Sequence, residues 1–255
     1  MSKLPEQYKF LDLSDYGRPI ASRIALALKD TTVTPIQVTI WFIISGLLAI
    51  LCILYDFYFA AAFFLILKSI LDAADGELSR LKNTPSYVGR YFDSIADIIL
   101  NFLFLFTFRY IAGGSIYYML LAFIGLQLQG TLYNYYYVIL RQSVDGDATS
   151  RVFENSSPVA MPGESQAKVD LFYKIFNYLY IIFDKSIYHL DKQAIDCKPF
   201  PKWFMTMVST FGLGFQLLIM SIMLMAGLEE FVIPFFIVYS GFLFVFIGIR
   251  KTILR

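Results

Sequence analysis

Asp72-Ala-Ala-Asp75-Gly76-Glu77-Leu78-Ser79-Arg80, then eight residues, then Gly89-Arg90-Tyr91-Phe92-Asp93-Ser94-Ile95-Ala96-Asp97: four aspartates stand where one long apolar run ends and the next begins. Spacings of three and four residues put each pair on one face of a helix. A short connection makes the two helices antiparallel neighbours, so all four carboxylates can converge on one cleft. A charge at the centre of a membrane helix costs about 2.5–3.5 kcal/mol on insertion scales, before mutual repulsion is added. The nearby cations Lys68, Arg80 and Arg90 are too few to neutralise four aspartates, although helix capping or ion pairing would account for one or two. Bound cations account for the set. Carboxylate oxygens suit hard ions such as Mg²⁺, Mn²⁺ or Ca²⁺, and four can hold two ions about 3.5–4 Å apart.

The surrounding composition places this cluster in a membrane. The chain of 255 residues is 58% hydrophobic, 18% aromatic and only 16% charged, where soluble domains carry about a quarter charged residues. Six apolar runs meet the roughly 17–25 residues a spanning helix needs: 37–55, 57–75, 89–110, 115–140, 203–226 and 231–249. Thr34-Pro35 supplies an N-cap and an N1 proline for the first of them. With six spans, nearly all Lys and Arg fall on one side, with Arg109 alone near the other boundary. The positive-inside rule then makes both termini and the two basic loops cytoplasmic. The fold class predicted is an all-α polytopic membrane protein in one domain, 1–255, with the carboxylates at the cytoplasmic face.

Two segments read as interfacial. Within the N-terminal segment 1–36, residues 16–30 repeat Ile20, Ile24 and Leu28 at four-residue spacing, the pattern of a helix lying on the membrane surface. Within the cytoplasmic loop 142–202, residues 171–190 alternate aromatics with Lys174 and Lys185. Residues 142–166, rich in Ser, Asp, Gly and Pro, read as a mobile loop in which Asp145 and Asp147 are solvated. Asn155-Ser-Ser forms a glycosylation sequon on the cytoplasmic, unused side. Cys52 and Cys197 give neither a disulfide framework nor metal-site spacing, and His189 is read as non-catalytic. The N-terminus lacks the apolar core of a cleavable signal peptide. No basic cluster suggests a nucleic-acid partner.

The pattern D-x2-D-G-x2-A-R-x8-G-x3-D-x3-D, matched at Asp72, Asp75, Gly76, Arg80, Gly89, Asp93 and Asp97, resembles the signature of the CDP-alcohol phosphotransferase family. Ser79 stands where the family usually has alanine. The resemblance extends to Thr34-Pro35-Ile36-Gln37-Val38-Thr39, which looks like the family's TPNxxT-type approach to the first span, with Ile36 in place of a polar residue. It implies transfer of a phosphatidyl or other phospho-alcohol group from CDP-diacylglycerol or another CDP-alcohol to a small alcohol, with CMP leaving, in phospholipid biosynthesis. It further implies two divalent cations, Mg²⁺ or Mn²⁺, on Asp72, Asp75, Asp93 and Asp97, with Asp97 as general base. Gly76, Arg80, Ser86, Gly89, Gln37 and Thr39 would contact the CDP moiety. A homodimer and membrane-lipid partners are typical of such proteins. Asn101, one further step along the line of Gly89, Asp93 and Asp97, and Lys68, one turn deeper than Asp72, would border the acceptor. Glu77 after the glycine is similar to relatives that use inositol phosphate.

Two other classes compete. A membrane prenyltransferase also uses aspartates and Mg²⁺ on a diphosphate, but with two separated Asp-rich motifs and more spans. A cation-coupled transporter would carry charges along a path to the opposite face, where only Asp56, Glu229 and Glu230 lie.

Overall fold

The computed structural model of the protein describes residues 4–144, 156–197 and 199–254. Asp145, Asp147 and Asn155, with which the sequon begins, lie outside the described residues. Those described form helices and connections, with no strand among them. The helices are α1 (Arg18–Leu28), α2 (Pro35–Leu54), α3 (Tyr58–Leu81), α4 (Tyr87–Ala112), α5 (Ile116–Ser143), α6 (Gln166–Leu190), α7 (Lys202–Val208), α8 (Leu213–Met225), α9 (Val232–Tyr239) and α10 (Phe242–Ile253).

Four helices are long and apolar enough to cross a membrane: α2, α4, α5 and the stretch Glu229–Ile253 that contains α9 and α10. A fifth arises if Lys202–Phe211 and Leu213–Met225, bent by 55° at Gly212, count as one broken span. Helix α3 has the length, but every 18-residue stretch of it includes Lys68, Asp72 and Asp75. Its shortfall in apolarity is the cluster itself. The outer face of α2 exposes Ile40, Trp41, Ile44, Leu47, Leu48 and Leu51 while Val38, Phe42, Ala49 and Ile53 point inward. Such an apolar exterior suits lipid and would be an aggregation liability in water.

Helix α3 is the centre of the bundle, packed against α1, α2 and α8, while α4 packs on α2, α5 and α6. Helices α2 and α3 form a hairpin closed by Asp56 in the left-handed region, φ 60°. Close approaches use small and hydroxyl residues, as expected where lipid gives no hydrophobic drive between helices. Ser45 donates to the Phe64 carbonyl at 2.8 Å, and a Cβ on Gly46 would meet Leu100 at 2.9 Å. At the bend of the broken span, a Cβ on Gly214 would sit 1.9 Å from the Ser14 carbonyl oxygen. The segment before α1 is therefore seated in that bend, where the Leu13 amide also donates to Ser209 Oγ at 2.9 Å.

Several expected boundaries move. The second apolar run continues past Asp75 to Leu81, because Glu77, Ser79 and Arg80 are polar yet good enough helix formers once α1 covers them. Of the Ile20, Ile24, Leu28 stripe of helix α1, Ile24 and Leu28 pack partly buried against the core. Ala21 and Ala25 are buried, a Cβ on Gly17 would strike Ile70 at 2.7 Å, and Ile20 is exposed. The small residues let the backbone approach α3, with Ile24 and Leu28 packing beside them. Helix α6 starts at Gln166, five residues earlier than its aromatic run, and lays Phe172, Tyr173, Phe176 and Tyr180 along α4.

Candidate active site

The cleft between α3 and α4 is set by a short connection. Helix α3 ends with Asn83 in the left-handed region, φ 51°, and the Ser79 hydroxyl donates to the Thr84 carbonyl at 2.9 Å. The serine that departs from the motif's alanine thus fastens the turn. Ser86 caps α4, its Oγ accepting the Gly89 amide at 2.8 Å.

Asp72, Asp75 and Asp93 are brought together, each offering an oxygen within 4.8 Å of the others. Asp75 is buried, and Asp72 and Asp93 are half-buried. The Thr39 hydroxyl of α2 donates to Asp75 Oδ2 at 2.6 Å, so α2 supplies the third wall. Oδ1 of Asp93 is buried with no hydrogen-bond partner among the described residues. Two oxygens on one Mg²⁺ or Ca²⁺, at about 2.0–2.6 Å each, stand at most about 4–5 Å apart. The three-carboxylate set therefore fits one hard divalent cation, and the orphaned Asp93 oxygen is an acceptor that such an ion would satisfy.

Asp97 is held differently. Lys68, fully buried on α3, donates to Asp72 Oδ2 at 2.7 Å and forms a short contact with Asp97 Oδ1. Its ammonium also lies 4.5 Å from the Phe42 ring centroid. Lys68, expected beside the acceptor, is thus within the acidic cluster. Asn101 is buried further along α4.

The residues expected around the nucleotide divide into two groups. Arg80 donates to Glu77 Oε2 at 2.8 Å, and its Nε is buried without a partner among the described residues. Gly76 lies inside α3, where a Cβ would come no closer than 3.6 Å to the Arg80 guanidinium. Gln37 and Ser86, by contrast, are used in helix caps. Gln37 Oε1 accepts the Thr34 amide at 2.8 Å in a capping box. At Gly89 a Cβ would lie 3.1 Å from Ser86 Oγ, so this glycine keeps the cap close.

Three polar residues escaped the sequence reading. Glu164 accepts from Ser86 Oγ (2.6 Å) and from the amides of Val88 (2.9 Å) and Tyr87 (3.1 Å). A carboxylate at a helix N-terminus is favoured by the free N–H groups there, but nothing in sequence links positions 164 and 86. Arg18 on α1 reaches Asp15 and, at 3.2 Å, Glu77 Oε2. Tyr180 of α6 donates to the Ser94 carbonyl at 2.8 Å, beside the Asp93–Asp97 face. A cavity of about 750 Å³ is lined by His189, Lys192, Asp196, Cys197 and Arg250. None of Asp72, Asp75, Asp93 and Asp97 lines it, so the site rests on their chemistry and not on cavity size.

The fold and cleft are those of a multi-pass membrane protein with an acidic cluster, drawn from α3 and α4, that could hold a metal ion. The profile of the CDP-alcohol phosphatidyltransferase family matches residues 32–190, and the chain belongs to that family. Its members transfer phosphate-linked alcohol groups from a CDP-alcohol donor to an alcohol acceptor and use divalent metals. No curated protein gave a significant sequence match.

Proposed function

We propose that the protein transfers a phosphatidyl or other phospho-alcohol group from a CDP-linked donor to an alcohol, releasing CMP, as a step of phospholipid biosynthesis. The observation that carries this reading is the convergence of Asp72, Asp75 and Asp93 within 4.8 Å, inside the family's own motif region. The chain crosses the membrane six times, α3 being the span whose charges are functional, and both termini and the acidic cleft face the cytoplasm. A homodimer in the membrane is part of the proposal.

Divalent cations on the carboxylates would neutralise the donor's diphosphate and polarise the attacked β-phosphorus. Asp72, Asp75 and Asp93 serve as ligands, and Thr39 fixes the Asp75 carboxylate from α2. Arg80 turns its free Nε–H toward a phosphate oxygen, with Glu77 steadying the guanidinium. The missing side chain at Gly76 leaves room for the donor beside Arg80. The acceptor hydroxyl approaches from the Asn101 side, and Asp97 takes its proton as the oxygen attacks. A P–O bond to the acceptor forms, and the P–O bond to CMP breaks.

Family membership favours this reading over a prenyltransferase or a transporter. Its test is a comparison of lipids and phospho-metabolites in cells carrying the wild-type chain or Asp97→Asn. One lipid or phospho-alcohol should fall, and its CDP-linked precursor should rise. Identical profiles, with both proteins present in the membrane at equal levels, would remove the proposal.

A further inference from the structure

Resting on that transferase reading, we infer that Lys68 takes the place of a second divalent cation, so that this chain works with one metal ion per site. Three of the four aspartates are spaced to share an ion. The fourth, Asp97, is bridged to Asp72 by the Lys68 ammonium, which contacts both carboxylates. A second ion would have to draw on Asp97, the one aspartate outside that set, with Asp72 bridging from the first ion, and the Lys68 ammonium already lies between those two carboxylates. The ammonium and a second ion would therefore compete for one position.

Lys68 has no evident retreat. Its side chain is 1% exposed and lies on an inward face of α3 beside Phe42, donating to Asp72 and Asp97. Displacing it would leave an unpaired ammonium among apolar side chains, which membrane interiors penalise heavily. A monovalent, protein-borne cation at this position also balances charge. Four carboxylates carry −4, and one divalent ion with Lys68 supplies +3, leaving the cleft mildly acidic before the anionic donor binds.

The test is Mn²⁺ binding to the purified full chain in lipid nanodiscs, with and without CMP, read by stoichiometry and by electron paramagnetic resonance. One Mn²⁺ per chain is expected, with the spectrum of an isolated ion, and Asp93→Asn should weaken it at least tenfold. Lys68→Met should raise the count to two, with a spin-coupled spectrum. Two coupled Mn²⁺ ions in the wild type, with or without CMP, would overturn the inference and leave the transferase reading standing. A folded Lys68→Met protein that still binds one ion would also overturn it. If Lys68→Met does not fold, the wild-type count decides alone. No Mn²⁺ bound at millimolar concentration would sink the metal-site reading together with this inference.

Discussion

Thr39→Val removes one hydroxyl while keeping the shape of the side chain, and it isolates what α2 contributes to the cleft. The Thr39 hydroxyl donates to Asp75 Oδ2 at 2.6 Å in a buried setting. A hydrogen bond to a charged group is worth about 1.5–3 kcal/mol, which corresponds to roughly a ten- to 150-fold change in an equilibrium constant. If Asp75 is a metal ligand, that loss falls on metal affinity. Outer-shell partners of metal ligands typically cost about 10–100-fold when removed, a range reached independently. The assay is CMP release at a series of Mg²⁺ concentrations, paired with direct Mn²⁺ titration. The half-saturating metal concentration should rise at least tenfold, excess Mg²⁺ should restore most of the rate, and Thr39→Ser should stay near wild type. A rate loss with unchanged metal dependence would refute this role and return Thr39 to the nucleotide, where the sequence motif put it.

Gly76→Ala should leave thermal stability unchanged or raise it by up to about 1 kcal/mol, since alanine is the better helix former and a Cβ there meets nothing closer than 3.6 Å. The donor KM should nonetheless rise, and a stable variant with wild-type kinetics would show that the space is unused. Glu164→Gln should speed hydrogen exchange at the Tyr87 and Val88 amides. Partial burial pushes the Glu164 carboxyl up, but Ser86 and the amides of Val88, Tyr87 and Met161 outweigh it and hold it below the ordinary range. A depressed acid contributes stability above its unfolded value of about 4.3 and loses it as pH falls through the folded value. The wild-type and Glu164→Gln proteins should therefore differ near pH 7 and converge in stronger acid. Asp191→Asn should destabilise the C-terminal half by about 3–5 kcal/mol, because the Arg250 charge, held to Asp191 through Nε at 2.7 Å, is 2% exposed. Thermal unfolding in detergent checks it, and an unchanged Tm would mean that the pair is dispensable.

What sequence could and could not reveal follows from the range of each interaction. Periodicity and spacing are local, so the helical class and the convergence of Asp72, Asp75 and Asp93 were readable. The Thr34 cap was readable too, being written within four residues. Lys68 was visible as an intramembrane lysine, but its reach to Asp97 across 29 residues was not. Glu164 at the α4 N-terminus and Ser14 in the Gly212–Gly214 bend depend on contacts between distant segments. Gln37 and Ser86 serve in helix caps, a use that the nucleotide reading did not include. A polar residue beside a nucleotide motif has the same composition as one capping a helix, and only geometry separates the two. In helix α1 the buried alanines, apolar but small, carry little weight in a hydrophobicity pattern, yet they pack beside Ile24 and Leu28 against the core.

The most direct test is CMP release from labelled CDP-diacylglycerol and from water-soluble CDP-alcohols, with Mg²⁺ and a panel of alcohol acceptors. Wild-type protein and Asp97→Asn would be matched for bound Mn²⁺. Acceptor-dependent CMP release by the wild type is expected, falling at least 100-fold when Asp97 no longer accepts the alcohol's proton. No CMP from any donor and acceptor pair, in a wild-type preparation that binds Mn²⁺ at the carboxylates, would contradict it.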